Sequence, residues 1–137
     1  MKPINTALCS FGMSGWVFHA PFITVHAGFN FYGVWERTKN LAQEKYPEIK
    51  TFRTIEDLLA DENIELVIVN PPNYTHYEYS KKVLEAGKHV VVEKPFTVTV
   101  KEGEERLRIC LHIYNSEEEI KNLIESFAIS VNITRQL

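Results

Sequence analysis

Ser10-Phe11-Gly12-Met13-Ser14-Gly15 stands directly after a short apolar run and directly before a stretch that can form a helix. A glycine-containing turn in that place can hold a dinucleotide diphosphate, because the helix N-terminus offers free N–H groups to anions. Ser10 occupies the position of the first glycine of such a fingerprint, where a small residue still permits the tight turn. Gly12 lets the backbone approach a pyrophosphate, Gly15 lets the helix pack close to the strand, and Phe11, Met13 and Ser14 complete the turn. Glu36 lies 21 residues after Gly15, at the end of a second strand. An acid at about that distance can accept hydrogen bonds from the adenosine ribose. Arg37 follows at once and can pair with a ribose 2′-phosphate or stack on adenine. Glu36 favours NAD, whereas Arg37 with Thr38 leaves NADP open. The competing reading is a tight strand–helix turn that binds nothing, with Glu36 as a helix-flanking acid and Arg37 as a solvated charge.

These residues need a frame. Ile4 to Cys9 reads as a buried first strand, and Ser14 to His26 as a helix that Pro21 must kink or restart. Phe29 to Trp35 reads as a second strand, and Thr38 to Tyr46 as a helix stopped by Pro47. Lys50 to Phe52 is a short extended piece. Thr54, with Asp57 three residues on, resembles a capping box that opens another helix. Leu66-Val67-Ile68-Val69 is a continuous apolar run, suited to a parallel strand buried on both faces. Thr75 to Ala86 reads as a helix with Gly87 at a left-handed C-cap, and His89 to Val92 as the next strand. The alternation predicts an α/β fold, a Rossmann-type doubly wound parallel sheet. Further on, Leu107 to Ile113 alternates with period two as a strand would, and a helix starts at Asn115-Ser116.

The chain has 137 residues, of which 45% are hydrophobic and 24% charged, so a disordered or fibrous protein is not expected. The length suits one ordinary domain. A formal net charge of −3 gives no electrostatic reason to expect nucleic acid as a partner. No run reaches the roughly 20 apolar residues that span a bilayer, so no membrane association is expected. No secretory signal is recognisable, and the expected location is the cytoplasm. Cys9 and Cys110 lack metal-ligand spacing and read as two reduced, buried thiols.

Several blocks together resemble the Gfo/Idh/MocA oxidoreductases. They are Ser10–Gly15 with Val17-Phe18-His19-Ala20-Pro21-Phe22, Asn70-Pro71-Pro72-Asn73-Tyr74-Thr75-His76, and Ala86-Gly87-Lys88-His89-Val90-Val91-Val92-Glu93-Lys94-Pro95. The Phe-His-Ala-Pro block and Phe96-Thr97-Val98-Thr99 look most like the branch that contains NADP-type scyllo-inositol dehydrogenases. The resemblance implies an NAD(P)-binding Rossmann domain and hydride transfer at a hydroxyl carbon of a sugar or polyol. It implies that Lys94, the Glu-Lys-Pro lysine, contacts the reacting hydroxyl. An ammonium there can stabilise charge as the proton leaves; the competing reading is an ordinary loop lysine. It further implies that Asn70, Pro71, Asn73, His76 and Glu93 stand around the cofactor. His76 can bond a phosphate or substrate, or cap the helix that begins beside it. His19 and His89 read as structural.

Members of the family run to more than twice this length, and no residue here matches their general base. The expectation is therefore a dinucleotide-binding domain over residues 1–105, without the substrate domain and without full catalysis. Residues 106–137 are expected to be a strand–helix tail, packed on that domain or on a partner chain. Residues 105–127 resemble the C-terminal strand and helix of 8-amino-7-oxononanoate synthases, as in a gene fusion, and no activity is carried over from that resemblance. The alternative is a non-catalytic interaction or dimerisation module, or a truncated fusion product. A homo-oligomer through the sheet edge is then open.

Overall fold

The computed structural model describes residues 2–95. The strand expected at Leu107–Ile113, the helix after Asn115-Ser116, Cys110 and the boundary at Glu105 all lie outside the described residues.

Strands β1 (Ile4–Leu8), β2 (Phe29–Trp35), β3 (Lys50–Phe52), β4 (Leu66–Val69) and β5 (His89–Val92) form one sheet in the order β3-β2-β1-β4-β5. Every neighbouring pair is parallel. Parallel neighbours need a crossover, and helices α1 (Ala20–Val25), α2 (Leu41–Lys45), α3 (Ile55–Ala60) and α4 (His76–Glu85) supply it after β1 to β4 in turn. This is the doubly wound Rossmann-type α/β fold that the alternation predicts.

The unbroken apolar strands are explained by a core on each face of the sheet. Alternate residues of a strand point to opposite faces. Ala7, Cys9, Val67 and Val69 pack with Ile55 and Leu58 of α3 and Val83 of α4. Leu8 and Ile68 pack on the other side, with Ala20 and Ile23 of α1 and Ala42 of α2. A half-solvated sheet would have needed polar residues at every second position.

The helix ends follow local chemistry. Thr54 Oγ1 accepts a hydrogen bond from Asp57 N at 3.0 Å and so caps α3. Gly87 has φ +71°. The amide of Lys88 donates to Val83 O and that of Gly87 to Leu84 O, a Schellman closure of α4.

The restart expected at Pro21 is observed, and one helix departs from expectation. The segment from Ser14 to His26 is not one helix: Gly15–His19 winds as a wide π turn, and α1 starts afresh at Ala20. Pro21 lacks an N–H and its ring would clash with the carbonyl four residues back; the wider turn precedes it. The helix expected over Thr38–Tyr46 begins only at Leu41. Side-chain contacts hold residues 36–40 as a loop, as described next.

Candidate functional site

The order β3-β2-β1-β4-β5 changes direction between β1 and β4. At such a switch point the loops leaving two neighbouring strands diverge and open a crevice at their carboxyl ends, the usual ligand position in open α/β sheets. The loop after β1 is the glycine turn; the loop after β4 begins at Asn70.

Asn70 joins the two loops. Its Oδ1 accepts a hydrogen bond from Ser10 N and its Nδ2 donates to Ser10 O, each at 3.0 Å. The buried amide thus satisfies both backbone groups of Ser10 much as a neighbouring strand would. The two glycines of the turn differ in what surrounds them. A Cβ on Gly15 would lie 2.3 Å from Ser10 O, so the helix can approach the strand only without a side chain there. A Cβ on Gly12 would meet nothing within 4 Å among the described residues. Phe11 turns its ring into the core, edge-on to Tyr46, while Met13 is exposed.

A cleft of about 420 Å³ opens beside the turn. Ser10, Phe11 and Gly12 form one wall, Glu36, Arg37, Thr38 and Lys39 a second, and Pro71 with Tyr74 part of a third. The size lies in the range of small-molecule sites.

Glu36 sits at the end of β2 with 8% of its surface exposed. Its two carboxylate oxygens accept hydrogen bonds from the amides of Leu41, at 3.2 Å, and Ala42, at 3.1 Å. The acid is therefore the cap of α2, where the helix dipole favours a negative charge. This explains the late start of α2: the carboxylate takes its first amides, and Thr38 to Asn40 stay outside the helix. The helix-flanking reading of Glu36 describes its observed contacts. Arg37, Thr38 and Lys39 are all exposed.

A second cluster gathers at the end of β5. Ser14 Oγ donates to Glu93 Oε1 at 2.5 Å, and His19 Nε2 lies 2.6 Å from the same oxygen. Glu93 thus anchors the glycine turn and the π turn to the strand that leads into Lys94. Lys94 is exposed and makes no recorded polar contact among the described residues. His76 is 2% exposed, with Nδ1 at 2.9 Å from Pro95 O and Nε2 at 2.8 Å from Pro71 O. It neither caps α4 nor lines the cleft; it ties the loop after β4 to the loop after β5. Asn73 is exposed at the start of a single 3₁₀ turn before α4.

Cys9 is buried directly behind the turn, and burial pushes its thiol up to about 12. Among the described residues no His/Cys/Asp/Glu group could hold a metal. No described helix is long and apolar enough to cross a membrane.

A dinucleotide-binding turn on a doubly wound sheet is shared by many families, and sequence comparison decides among them. The family described as an oxidoreductase family with an NAD-binding Rossmann fold, Gfo/Idh/MocA, matches residues 4–112. The chain belongs to the Gfo/Idh/MocA family. The match runs past the boundary expected at Glu105. An uncharacterised oxidoreductase of Schizosaccharomyces pombe is 44% identical over 110 residues, which is 77% of this chain and 30% of the relative. The scyllo-inositol 2-dehydrogenase (NADP(+)) of Bacillus subtilis is 36% identical over 101 residues, 74% of this chain and 28% of that enzyme. In crystal structures, a Bacteroides fragilis protein matches with 52% identity and a TM-score of 0.73, covering 77% of this chain and 33% of that one. The D-galactose-1-dehydrogenase of Rhizobium etli matches with 32% identity and a TM-score of 0.67, covering 77% and 33%. The chain spans about 30% of the length of the curated relatives it matches.

Sequence reading missed the carrier of the loop geometry. Arg53, one residue past β3, makes three hydrogen bonds to residues 36–40. Locally it is one more exposed charge before a helix cap, and nothing in its neighbours marks it. His19 read as structural, and its contact with Glu93 gives that role a partner.

Proposed function

We propose that the chain binds NADP(H) in the cleft beside the glycine turn, as the cofactor-binding part of an oxidoreductase acting on a sugar or polyol hydroxyl. The observation that carries the cofactor choice is the pair of cations beside Glu36. The carboxylate of Glu36 accepts the first amides of α2, and next to it the wall of the cleft presents Arg37 and Lys39. A 2′-phosphate needs cationic donors and is repelled by a carboxylate turned toward it.

The residues fit the group. The open space over Gly12 admits a diphosphate, with the turn Ser10–Gly15 supplying its amides. Arg37, Thr38 and Lys39 take the adenosine end. Asn70, Pro71, Asn73, His76 and Glu93 frame the nicotinamide end, chiefly by holding the loops in place. Lys94, at the carboxyl edge of the sheet, contacts the reacting hydroxyl. A bound nicotinamide would supply hydride exchange; the Lys94 ammonium would donate a hydrogen bond to the oxygen and stabilise the charge that develops there as its proton leaves. The inositol-type branch gains support from the Bacillus subtilis relative, whose name specifies NADP(+). The NADP(H) reading is also supported by the D-xylose 1-dehydrogenase (NADP(+)) of Hypocrea jecorina, 42% identical over 52 residues, which is 38% of this chain and 13% of that enzyme.

Titration of NADPH and NADH, followed by nicotinamide fluorescence, tests this reading. NADPH should bind more tightly, and Arg37→Ala should weaken NADPH by about tenfold while leaving NADH within about twofold, the loss of one charge-assisted contact. No binding at millimolar dinucleotide would overturn it.

A further inference from the structure

Arg53 does not line the cleft, yet its guanidinium holds one of the cleft's walls. The sheet register puts it there. Trp35 pairs with Phe52 at the ends of β2 and β3, and Glu36 N donates to Phe52 O. The next residue on each strand, Glu36 and Arg53, therefore leave the sheet side by side. Trp35 Nε1 donates to Arg53 O and holds its backbone as well. From that root Nη1 donates to Glu36 O at 2.9 Å and to Lys39 O at 2.7 Å, and Nη2 donates to Asn40 Oδ1 at 2.5 Å.

These acceptors lie at both ends of the loop 36–40. That loop has no helix or strand of its own to satisfy its carbonyls. One planar fork closes it, and between the closed ends stand Arg37, Thr38 and Lys39. The Glu36 carboxylate pins the same loop from the α2 side. Long cationic side chains on a free loop would have to be ordered on binding, which costs affinity; a stapled loop carries that ordering in advance. A lysine at position 53 offers a point charge in place of the fork.

We propose that Arg53 is a positioning residue for cofactor selectivity: it staples the loop 36–40 so that Arg37, Thr38 and Lys39 meet a ribose 2′-phosphate, without touching the dinucleotide itself. The inference rests on the NADP(H) reading above. It predicts that the effect of Arg53 runs in part through Arg37.

The test is a double-mutant cycle on the full chain, read as NADPH and NADH affinities by nicotinamide fluorescence. Arg53→Ala should weaken NADPH by about tenfold and NADH by less than about twofold, a split that general unfolding would not produce. Arg53→Lys, which keeps the charge, should lose most of the same NADPH affinity. Arg37→Ala/Arg53→Ala should lose clearly less NADPH affinity than the product of the two single losses, because part of the effect of Arg53 is the placing of Arg37. Fully additive losses in the double variant would overturn the proposal, because Arg53 would then act independently of Arg37. Wild-type NADPH affinity in Arg53→Lys would overturn it in favour of simple charge. Equal losses of NADPH and NADH in Arg53→Ala would also overturn it. If Arg37→Ala loses NADPH and Arg53→Ala does not, only this inference falls. If the wild-type chain binds neither dinucleotide, the underlying reading falls and takes this one with it.

Discussion

Glu36 Oε2 accepts a hydrogen bond from the buried amide of Ala42, six residues ahead of it in the chain, at 3.1 Å. The contact makes an acid at the edge of the cleft the cap of a helix end. Replacing it removes a cap, so Glu36→Ala should lower stability by about 1–2 kcal/mol, the usual range for a lost helix cap. Urea denaturation measures this directly. Glu36→Gln keeps one acceptor oxygen and should lose less. If Glu36→Gln left stability intact and abolished NADH binding, the carboxylate would belong to the ribose instead.

Gly12 and Gly15 should separate fold from ligand. A Cβ on Gly15 would meet a backbone oxygen, which cannot swing away. Gly15→Ala should therefore cost about 1–3 kcal/mol, the range for overpacking in a tight site. At Gly12 the new methyl meets open space, so Gly12→Ala should melt like the wild type. It should nevertheless weaken NADPH, because the methyl stands where the diphosphate approaches. Thermal melts and fluorescence titrations of the two variants, run side by side, check both halves. A wild-type titration for Gly12→Ala would remove the diphosphate from the turn.

Asp61 gives the acid side of the stability profile a named group. Burial raises its carboxyl, but hydrogen bonds from Lys50, from Asn63 and from Tyr32 outweigh this and hold it well below the usual range. A depressed folded value means the carboxylate stabilises the fold fully above the unfolded value of about 3.9. That contribution drains as pH falls below it. Melting temperatures between about pH 6 and about pH 2.5 should fall, and Asp61→Asn should flatten the fall. An unchanged slope in the variant would assign the acid sensitivity elsewhere.

Cys9 should be chemically silent in the folded protein. The thiolate is the reactive form, and burial pushes this thiol up to about 12. Iodoacetamide at neutral pH, followed by peptide mapping, should leave Cys9 unmodified in buffer and modified in denaturant. Rapid labelling of the native chain would mean that the turn above it opens.

Much of the frame was legible in the residues. Strand β4 was plain as an apolar run, because a strand covered on both faces has no polar alternation to preserve; β5 was plain from its three valines, although Val91 stays exposed among the described residues. The Thr54 cap and the Gly87 turn were plain because each involves groups only a few residues apart. The glycine turn was recognisable for the same reason, and its place after the first strand predicted its place at the sheet's carboxyl edge.

What tertiary structure decided was the destination of side chains whose partners are distant. Nothing local tells Asn70 to bind Ser10, 60 residues earlier, or Glu93 to gather Ser14 and His19. Glu36 had two acceptor roles open to it, and the short helix after it places an amide on each of its oxygens. Arg53 was silent as a letter in the chain and acquired a role only because the β2–β3 register set it beside Glu36. Local propensity and periodicity act within a turn or two of the backbone, so the sequence alone could place the elements. A polar side chain chooses among competing partners only after the sheet has brought them within about 3 Å; that choice is what formed the cleft wall.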